Sequence, residues 1–363
     1  MNILFAAGGT GGHLYPAIAI AEELRRIDPA AVIAFAGTKR KIEARVVPQK
    51  GYPFHPIWIS GFSRRLRLDN LLFPVKVFVS LVQSFFLIRR FRPDVVIGTG
   101  GYVCGPVLFA ASLSGIPTVV HESNSYPGVT TRMLAARVSK VFTTFEITRK
   151  WLAPSANVEV AGNPTRAELS AATRNDGAAA FGLSPERPTL FVFGGSLGAA
   201  SINSAMPAVV SEAVTLGWQV IWQTGETDKG SAANVPQHPD IKVMTYVDRM
   251  DLGYAAADVV VCRSGATTLA ELTRLGKPAI LVPYPYAAAN HQELNANALV
   301  EAGAAVMLKD ALLQKELTAA VRRLMTDAGA RAAMAKKSIA LGRPDAGAVI
   351  AGRIFSMVEQ RRA

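Results

Sequence analysis

The sequence predicts an α/β protein built from two doubly wound parallel-sheet domains that face a central cleft. Three observations carry this expectation. The 363 residues exceed one typical domain. Continuous apolar runs alternate regularly with helical stretches, the pattern of parallel strands covered on both faces. Three of those runs also lead directly into glycine-rich turns, first in Met1-Asn-Ile-Leu-Phe-Ala-Ala-Gly-Gly-Thr-Gly-Gly-His13. Half of the residues are hydrophobic and 18% are charged, enough for two cores and against disorder.

Taken in order, the first half reads as strands at Ile3–Ala7, Val32–Ala36, Val95–Gly98, Thr118–His121, Val141–Phe145 and Val158–Ala161. Helical stretches such as Ala17–Arg26 and Val129–Val138 separate them. The second half gives Thr189–Phe193, Gln219–Gln223, Lys242–Thr245, Val259–Cys262, Ala279–Val282 and Ala305–Leu308. Gly162 and Pro164 break regular structure in Ala161-Gly-Asn-Pro-Thr-Arg166, which sets domains at 1–162 and 163–342. A last helix, Ala346–Gln360, can pack on either half.

The net charge of +12 favours acidic partners: nucleic acid, phosphorylated substrates or an anionic membrane. Cys104 and Cys262 have no metal or redox spacing, as expected in a reducing cytosol. The N-terminus has no signal-peptide pattern.

Ligands of open parallel sheets bind at the carboxyl ends of strands, so glycine turns there are candidate anion sites. Gly8-Gly-Thr-Gly-Gly-His13 is out of register with the dinucleotide fingerprint, and no acidic residue ends the second strand. One such turn alone is read as a tight turn. Three of them, with Gly194-Gly-Ser196 and Gly98-Thr-Gly-Gly-Tyr102, favour anion binding. His13 sits at a helix start beside the first turn. It reads either as a capping or packing residue or, at the mouth of an anion site, as a general base. No His-x-x-x-His pair and no Asp-x-Asp occurs, which argues against a dedicated metal site.

A second constellation is Cys262-Arg-Ser-Gly-Ala-Thr267 with Glu271, followed by Pro283-Tyr-Pro-Tyr286 and Asn290-His-Gln292 with Asn295. Glu271 would accept two ribose hydroxyls or be a solvated helix carboxylate. Gln292 and Asn295, three apart, share a helix face and would meet a sugar or merely solvent.

These stretches, in this order over nearly the whole chain, are similar to the MurG family of bacterial transferases. That family moves N-acetylglucosamine from its UDP donor onto lipid I, making lipid II in peptidoglycan synthesis. Further matching stretches are His121-Glu-Ser-Asn124 with Gly128, Gly162-Asn-Pro164 with Arg166, and Gly198-Ala199. The resemblance implies the GT-B fold of two Rossmann-like domains, inversion at the anomeric carbon, and no metal or cofactor. It gives the acceptor and membrane to 1–162, and UDP-N-acetylglucosamine to 163–342.

Carried onto matching positions, the resemblance places Thr10, Gly11 and Gly12 beside the donor sugar or acceptor diphosphate. It makes Asn124 and Arg166 donor-site residues, and has Ser196 meet the UDP phosphates at a helix start. Backbone groups of Val247 would hold uracil, Ala266 and Thr267 would line the donor, Glu271 would hold ribose and Gln292 the sugar hydroxyls. His13 would be the base, with Glu122 or a water as possible sharers of the proton. Gly100, Gly101 and Tyr102 would face the acceptor diphosphate. Leu197 replaces the glutamine usual in the third loop, and Ser123 replaces another in His121-Glu-Ser-Asn124.

A lipid acceptor predicts a membrane-facing surface. Val75–Phe91 puts Lys76, Ser80, Gln83 and Ser84 on one narrow stripe and leaves Phe78, Leu81, Phe85 and Phe86 on a broad apolar face. Arg64-Arg65-Leu-Arg67 precedes it, and Arg89-Arg-Phe-Arg92 follows, suiting anionic lipid heads. The competing reading is a buried core helix. Pro74 and Lys76 interrupt a stretch that barely reaches the roughly 20 residues a span needs, so the protein should lie on the inner leaflet. Nucleic-acid binding is not expected, because no stacking aromatics alternate with the basic residues. The rivals are a GT-B enzyme with a glycolipid acceptor and a non-catalytic nucleotide-sugar binder.

Overall fold

The structure, a computed structural model, describes residues 1–61, 71–228, 230–233 and 235–362, so Arg64, Arg65 and Arg67 lie outside the described residues. Two compact units divide the chain: Met1–Thr165 with Arg343–Ala363, and Arg166–Gly342.

In the first unit the strands are β1 (Asn2–Ala7), β2 (Val32–Gly37), β3 (Phe54–Pro56), β4 (Val95–Gly100), β5 (Thr118–Glu122), β6 (Lys140–Thr143) and β7 (Val158–Val160). They form a parallel sheet of order β3-β2-β1-β4-β5-β6-β7. Helices α1 (Gly11–Ile27), α2 (Ile42–Gln49), α3 (Phe73–Phe91), α4 (Cys104–Leu113) and α5 (Val129–Leu134) accompany it. Both faces of β1 are buried: Ile3 and Phe5 pack with Leu14 and Ile20 of α1, while Leu4 and Ala6 pack with Val107 and Leu108 of α4. That two-sided burial is why the strand reads as an unbroken apolar run.

The structure moves two helix boundaries and adds one strand. Helix α1 starts at Gly11, not Ala17, because burial of Leu14 and Ala17 outweighs the poor helix propensity of two glycines. Helix α5 stops at Leu134, short of Val138. Strand β3 was not expected; Phe54-His-Pro56 is three residues long at the sheet edge, where proline is tolerated.

The second unit has β8 (Thr189–Phe193), β9 (Gln219–Gln223), β10 (Ile241–Met244), β11 (Val259–Cys262), β12 (Ala279–Leu281) and β13 (Val306–Met307). Their order is β10-β9-β8-β11-β12-β13, again all parallel. The helices are α6 (Arg174–Phe181), α7 (Ala200–Leu216), α8 (Met250–Ala256), α9 (Ala266–Leu275), α10 (His291–Glu301), α11 (Leu313–Thr326) and α12 (Ala328–Leu341). Leu190 and Val192 pack with α7 and α11 on one face. Phe191 and Phe193 meet the Tyr254 ring edge-on from the other.

The closing helix α13 (Ala346–Arg362) belongs to the first unit, where Ile350, Ala351, Ile354 and Val358 join the α1 side of the core.

In each unit the strand order reverses between two central neighbours, β1/β4 and β8/β11. The crevice beyond their carboxyl ends is the usual ligand position of an open α/β sheet. All the predicted glycine turns, and the Cys262–Gly265 turn, leave one of those four strands.

Candidate active site

In the first unit the Gly8–Gly12 and Gly98–Tyr102 turns lock together around His13. The ring Nδ1 lies 3.2 Å from the Gly8 carbonyl oxygen and 3.4 Å from Thr10 Oγ1. A carbonyl only accepts, so this contact places the proton on Nδ1 and leaves a lone pair on Nε2. Nε2 has no hydrogen-bond partner among the described residues. The second turn forms the wall: Gly100 has φ +118° and a Cβ there would strike the His13 ring, while a Cβ on Gly101 (φ +90°) would strike the Gly8 carbonyl. Thr99 Oγ1 donates to the His13 carbonyl at 2.7 Å. The exposed Tyr102 ring lies over Gly61. Thr10 and Gly12 are exposed and Gly11 half-buried, at an α1 N-terminus without a side-chain cap. Pro16 has no N–H to donate to the Gly12 carbonyl.

Two buried carboxylates, neither assigned this role from sequence, shape the loops. Glu43 is fully buried and accepts from the Gly9 and Thr38 amides, each at 3.0 Å, and from Thr38 Oγ1. One amide of the first glycine turn is therefore already taken by a protein carboxylate rather than free for a ligand. Nothing in Lys39-Arg-Lys-Ile-Glu43 signals this, since a charged run ordinarily reads as a solvated face. Glu122 accepts from the Asn124 amide and side chain, the Gly128 amide and Thr131 Oγ1. With four donors on it, Glu122 is a loop organiser and not a sharer of the proton. It fixes Asn124, half-buried at the end of that loop. His121 is buried, with Nε2 3.0 Å from the Gly162 carbonyl, and burial lowers its pKa.

In the second unit the Gly194–Gly198 turn ends on a hinge of backbone contacts. A Cβ on Gly198 (φ +86°) would strike the Thr224 carbonyl. Gln223, the polar residue ending β9, donates to the Gly195 carbonyl at 2.9 Å and accepts from the Val247 amide at 2.9 Å. The Val247 amide is thereby occupied, so a base held at this position would have the carbonyl but not the N–H. Ser196 is exposed and lies four residues before α7, not at its first turn; its hydroxyl makes no hydrogen bond among the described residues. Leu197 points its side chain into solvent (60% exposed) and holds Thr227 through its carbonyl alone.

The β11 turn enters α9, whose N-cap Gly265 offers no side-chain cap. Ala266 is buried, and the buried Thr267 hydroxyl has no hydrogen-bond partner. Glu271 is not a solvated carboxylate. It is buried, accepting from Tyr254 Oη at 2.9 Å and Arg166 Nη2 at 3.4 Å. Burial raises its pKa, and the Arg166 charge and both hydrogen bonds partly offset that rise. Gln292 Oε1 accepts from the Tyr284 amide at 2.9 Å, leaving its amide group half-buried at the site. Asn295 does not share an open face with it. It is fully buried with Nδ2 3.4 Å from the Ser264 carbonyl, bracing the turn. Arg263 was not assigned a role either. It bonds Asp310, Ser201 and two carbonyls and lies over the Tyr284 ring.

Helix α3 carries its polarity inside out. Ser80 and Ser84 are fully buried, each hydroxyl donating to a carbonyl of its own helix, at 2.7 and 2.6 Å. That internal bonding is what lets them face the protein. Lys76 Nζ donates to Ser60 Oγ, and Gln83 accepts from the Trp58 amide. Phe78 (69% exposed), Phe86 (66%) and Phe85 (44%) point outward, so the helix is not a core helix. Arg89 stacks over the Phe85 ring. No helix among the described residues is long and apolar enough to cross a membrane.

Two doubly wound parallel sheets, each with glycine turns at its switch point, are the architecture of the GT-B class, and the comparisons with known proteins place the chain among its glycosyltransferases. Residues 3–143 match the glycosyltransferase family 28 N-terminal domain and residues 189–349 its C-terminal domain, and the chain belongs to that family. It is 46% identical to the UDP-N-acetylglucosamine–N-acetylmuramyl-(pentapeptide) pyrophosphoryl-undecaprenol N-acetylglucosamine transferase of Chlorobaculum parvum, over 98% of this chain and 99% of the relative. It is 43% identical to the enzyme of the same name from Salinibacter ruber, over 99% and 98%. The crystal structure of Acinetobacter baumannii MurG superposes with a TM-score of 0.75 at 27% identity, covering 98% of this chain and 99% of that one.

Proposed function

We propose that the chain transfers N-acetylglucosamine from UDP-N-acetylglucosamine to the C4 hydroxyl of the N-acetylmuramoyl unit of lipid I, forming lipid II. The acceptor oxygen bonds the anomeric carbon as the bond to UDP breaks, with inversion. His13 Nε2 takes the hydroxyl proton and UDP leaves with the electron pair. One observation carries the base assignment: Nδ1 is held on the Gly8 carbonyl, so Nε2, which has no hydrogen-bond partner among the described residues, is the acceptor. The full-length relatives named for this transfer support the choice of donor and acceptor.

In this reading the first unit takes the acceptor, with Gly100, Gly101 and Tyr102 near its diphosphate. The second takes the donor, with Ser196 and the open α7 N-terminus at the UDP phosphates, Thr267 and Glu271 at the nucleoside, and Gln292 at the sugar. Asn124 and Arg166 assist at the donor. The outward phenylalanines of α3, with Arg89, rest on the anionic inner leaflet, where the lipid acceptor is anchored. Transfer of radiolabelled N-acetylglucosamine to a lipid I analogue in EDTA tests the reading. A lipid II product is expected; product only on a diacylglycerol acceptor, or UDP binding with no turnover, would replace it.

A further inference from the structure

The second unit contains a hollow of about 400 Å³, remote from the glycine turns, lined by Leu169, Ser170, Arg174, Ala255, Arg274 and Lys277 among others. It lies at the amino ends of the strands, since Asp258 directly precedes β11 and Lys277 nearly precedes β12. The turns that serve the donor leave the carboxyl ends. Three cationic side chains, each half-buried, border it, and no acidic residue among the described residues lines it. The neighbouring Asp258 is already committed: both its oxygens hold Arg174, at 3.0 and 2.9 Å, and one also accepts from the Thr189 amide. Arg274 Nε donates to Ser170 Oγ at 3.0 Å, setting a guanidinium and a hydroxyl side by side. Lys277 Nζ has one neutral partner, the Ala257 carbonyl at 2.8 Å.

We propose that this hollow is a second anion site, taking a small phosphate-bearing anion between Lys277, Arg274 and the Ser170 hydroxyl. A guanidinium fork, an ammonium and a hydroxyl are the groups that recognise phosphate oxygens. The state of Lys277 agrees: burial pushes its pKa down to about 8, and the Arg174 charge adds to that fall, while Asp258 opposes it incompletely. A bound anion would supply the missing negative charge and draw the lysine back to its protonated form.

The test is acylation of the full chain by an amine-reactive ester at about pH 8, read at each lysine by mass spectrometry, with and without inorganic pyrophosphate. Raising the Lys277 pKa by about one unit would slow its modification about fivefold, because only the neutral amine reacts. Exposed Lys315 serves as the control and should be unaffected. Arg274→Gln should abolish the protection while the lysine stays reactive. If that variant fails to fold, Ser170→Ala, at an exposed position, should weaken it. Absence of protection in the parent chain, or equal protection in the folded variants, overturns the proposal.

Discussion

The His13 imidazole rests on Gly100, at a point where any Cβ would collide with the ring. Gly100 also has φ +118°, outside the range of L side chains. Gly100→Ala should therefore turn the imidazole off the Gly8 carbonyl. We expect kcat to fall at least about tenfold, with about 1–3 kcal/mol of destabilisation from backbone strain. Donor affinity should be unchanged. Steady-state kinetics alongside denaturant unfolding check this, and an unaltered kcat in the folded variant would argue against the wall.

Glu271 gives a prediction with opposite signs for binding and stability. Its folded pKa is raised above the unfolded value, so its ionisation opposes folding as pH climbs through the folded pKa. Glu271→Gln removes that charge and should leave thermal stability at neutral pH equal or higher. Losing a charged acceptor for ribose should weaken UDP binding by about 1.5–3 kcal/mol, roughly tenfold to a hundredfold. Calorimetric titration with UDP and a thermal melt decide it; unchanged affinity would remove Glu271 from the donor site.

Acid should loosen the first unit through His121. Burial holds its pKa below the ordinary value near 6.5, so on acidification the unfolded chain takes up the proton first. Stability is then full above about pH 6.5 and falls toward the lower folded pKa, by at most about 1.4 kcal/mol per pH unit. His121→Asn should flatten that slope in urea titrations across the range. A slope that survives the substitution would assign it to other groups.

Outward phenylalanines predict a separable membrane defect. Phe78→Glu combined with Phe86→Glu should abolish cosedimentation with anionic vesicles, since each introduced carboxylate opposes both the apolar phase and the lipid charge. Transfer to a short-chain, water-soluble acceptor should continue at the parent rate. Undiminished vesicle binding would contradict the assigned face.

Regular elements were legible in proportion to their burial. Thr189–Phe193 and Gln219–Gln223 were readable to the residue because both strands are buried throughout and glycine or proline stands just outside. Phe54–Pro56 was not, being a short edge strand whose pairing depends on β2 rather than on its own pattern. At the candidate site, the placement of the glycine turns after buried strands and of His13 at a helix start was legible, because a strand running into glycines is a local pattern. The hidden contributors act through distant backbone. Glu43 reaches across to Gly9, and Gln223 joins two loops on either side of its strand, contacts that no spacing in the sequence announces. The polar stripe of α3 was legible, but which way it faced required the hydroxyls of Ser80 and Ser84 to be seen bonding their own helix.

The most direct test of the account is His13→Ala, measured for both turnover and UDP binding. Loss of a positioned general base predicts a kcat lower by about 10²–10⁴-fold, with UDP affinity within about twofold of the parent. Equal loss of both, or loss of neither, would contradict His13 as the base.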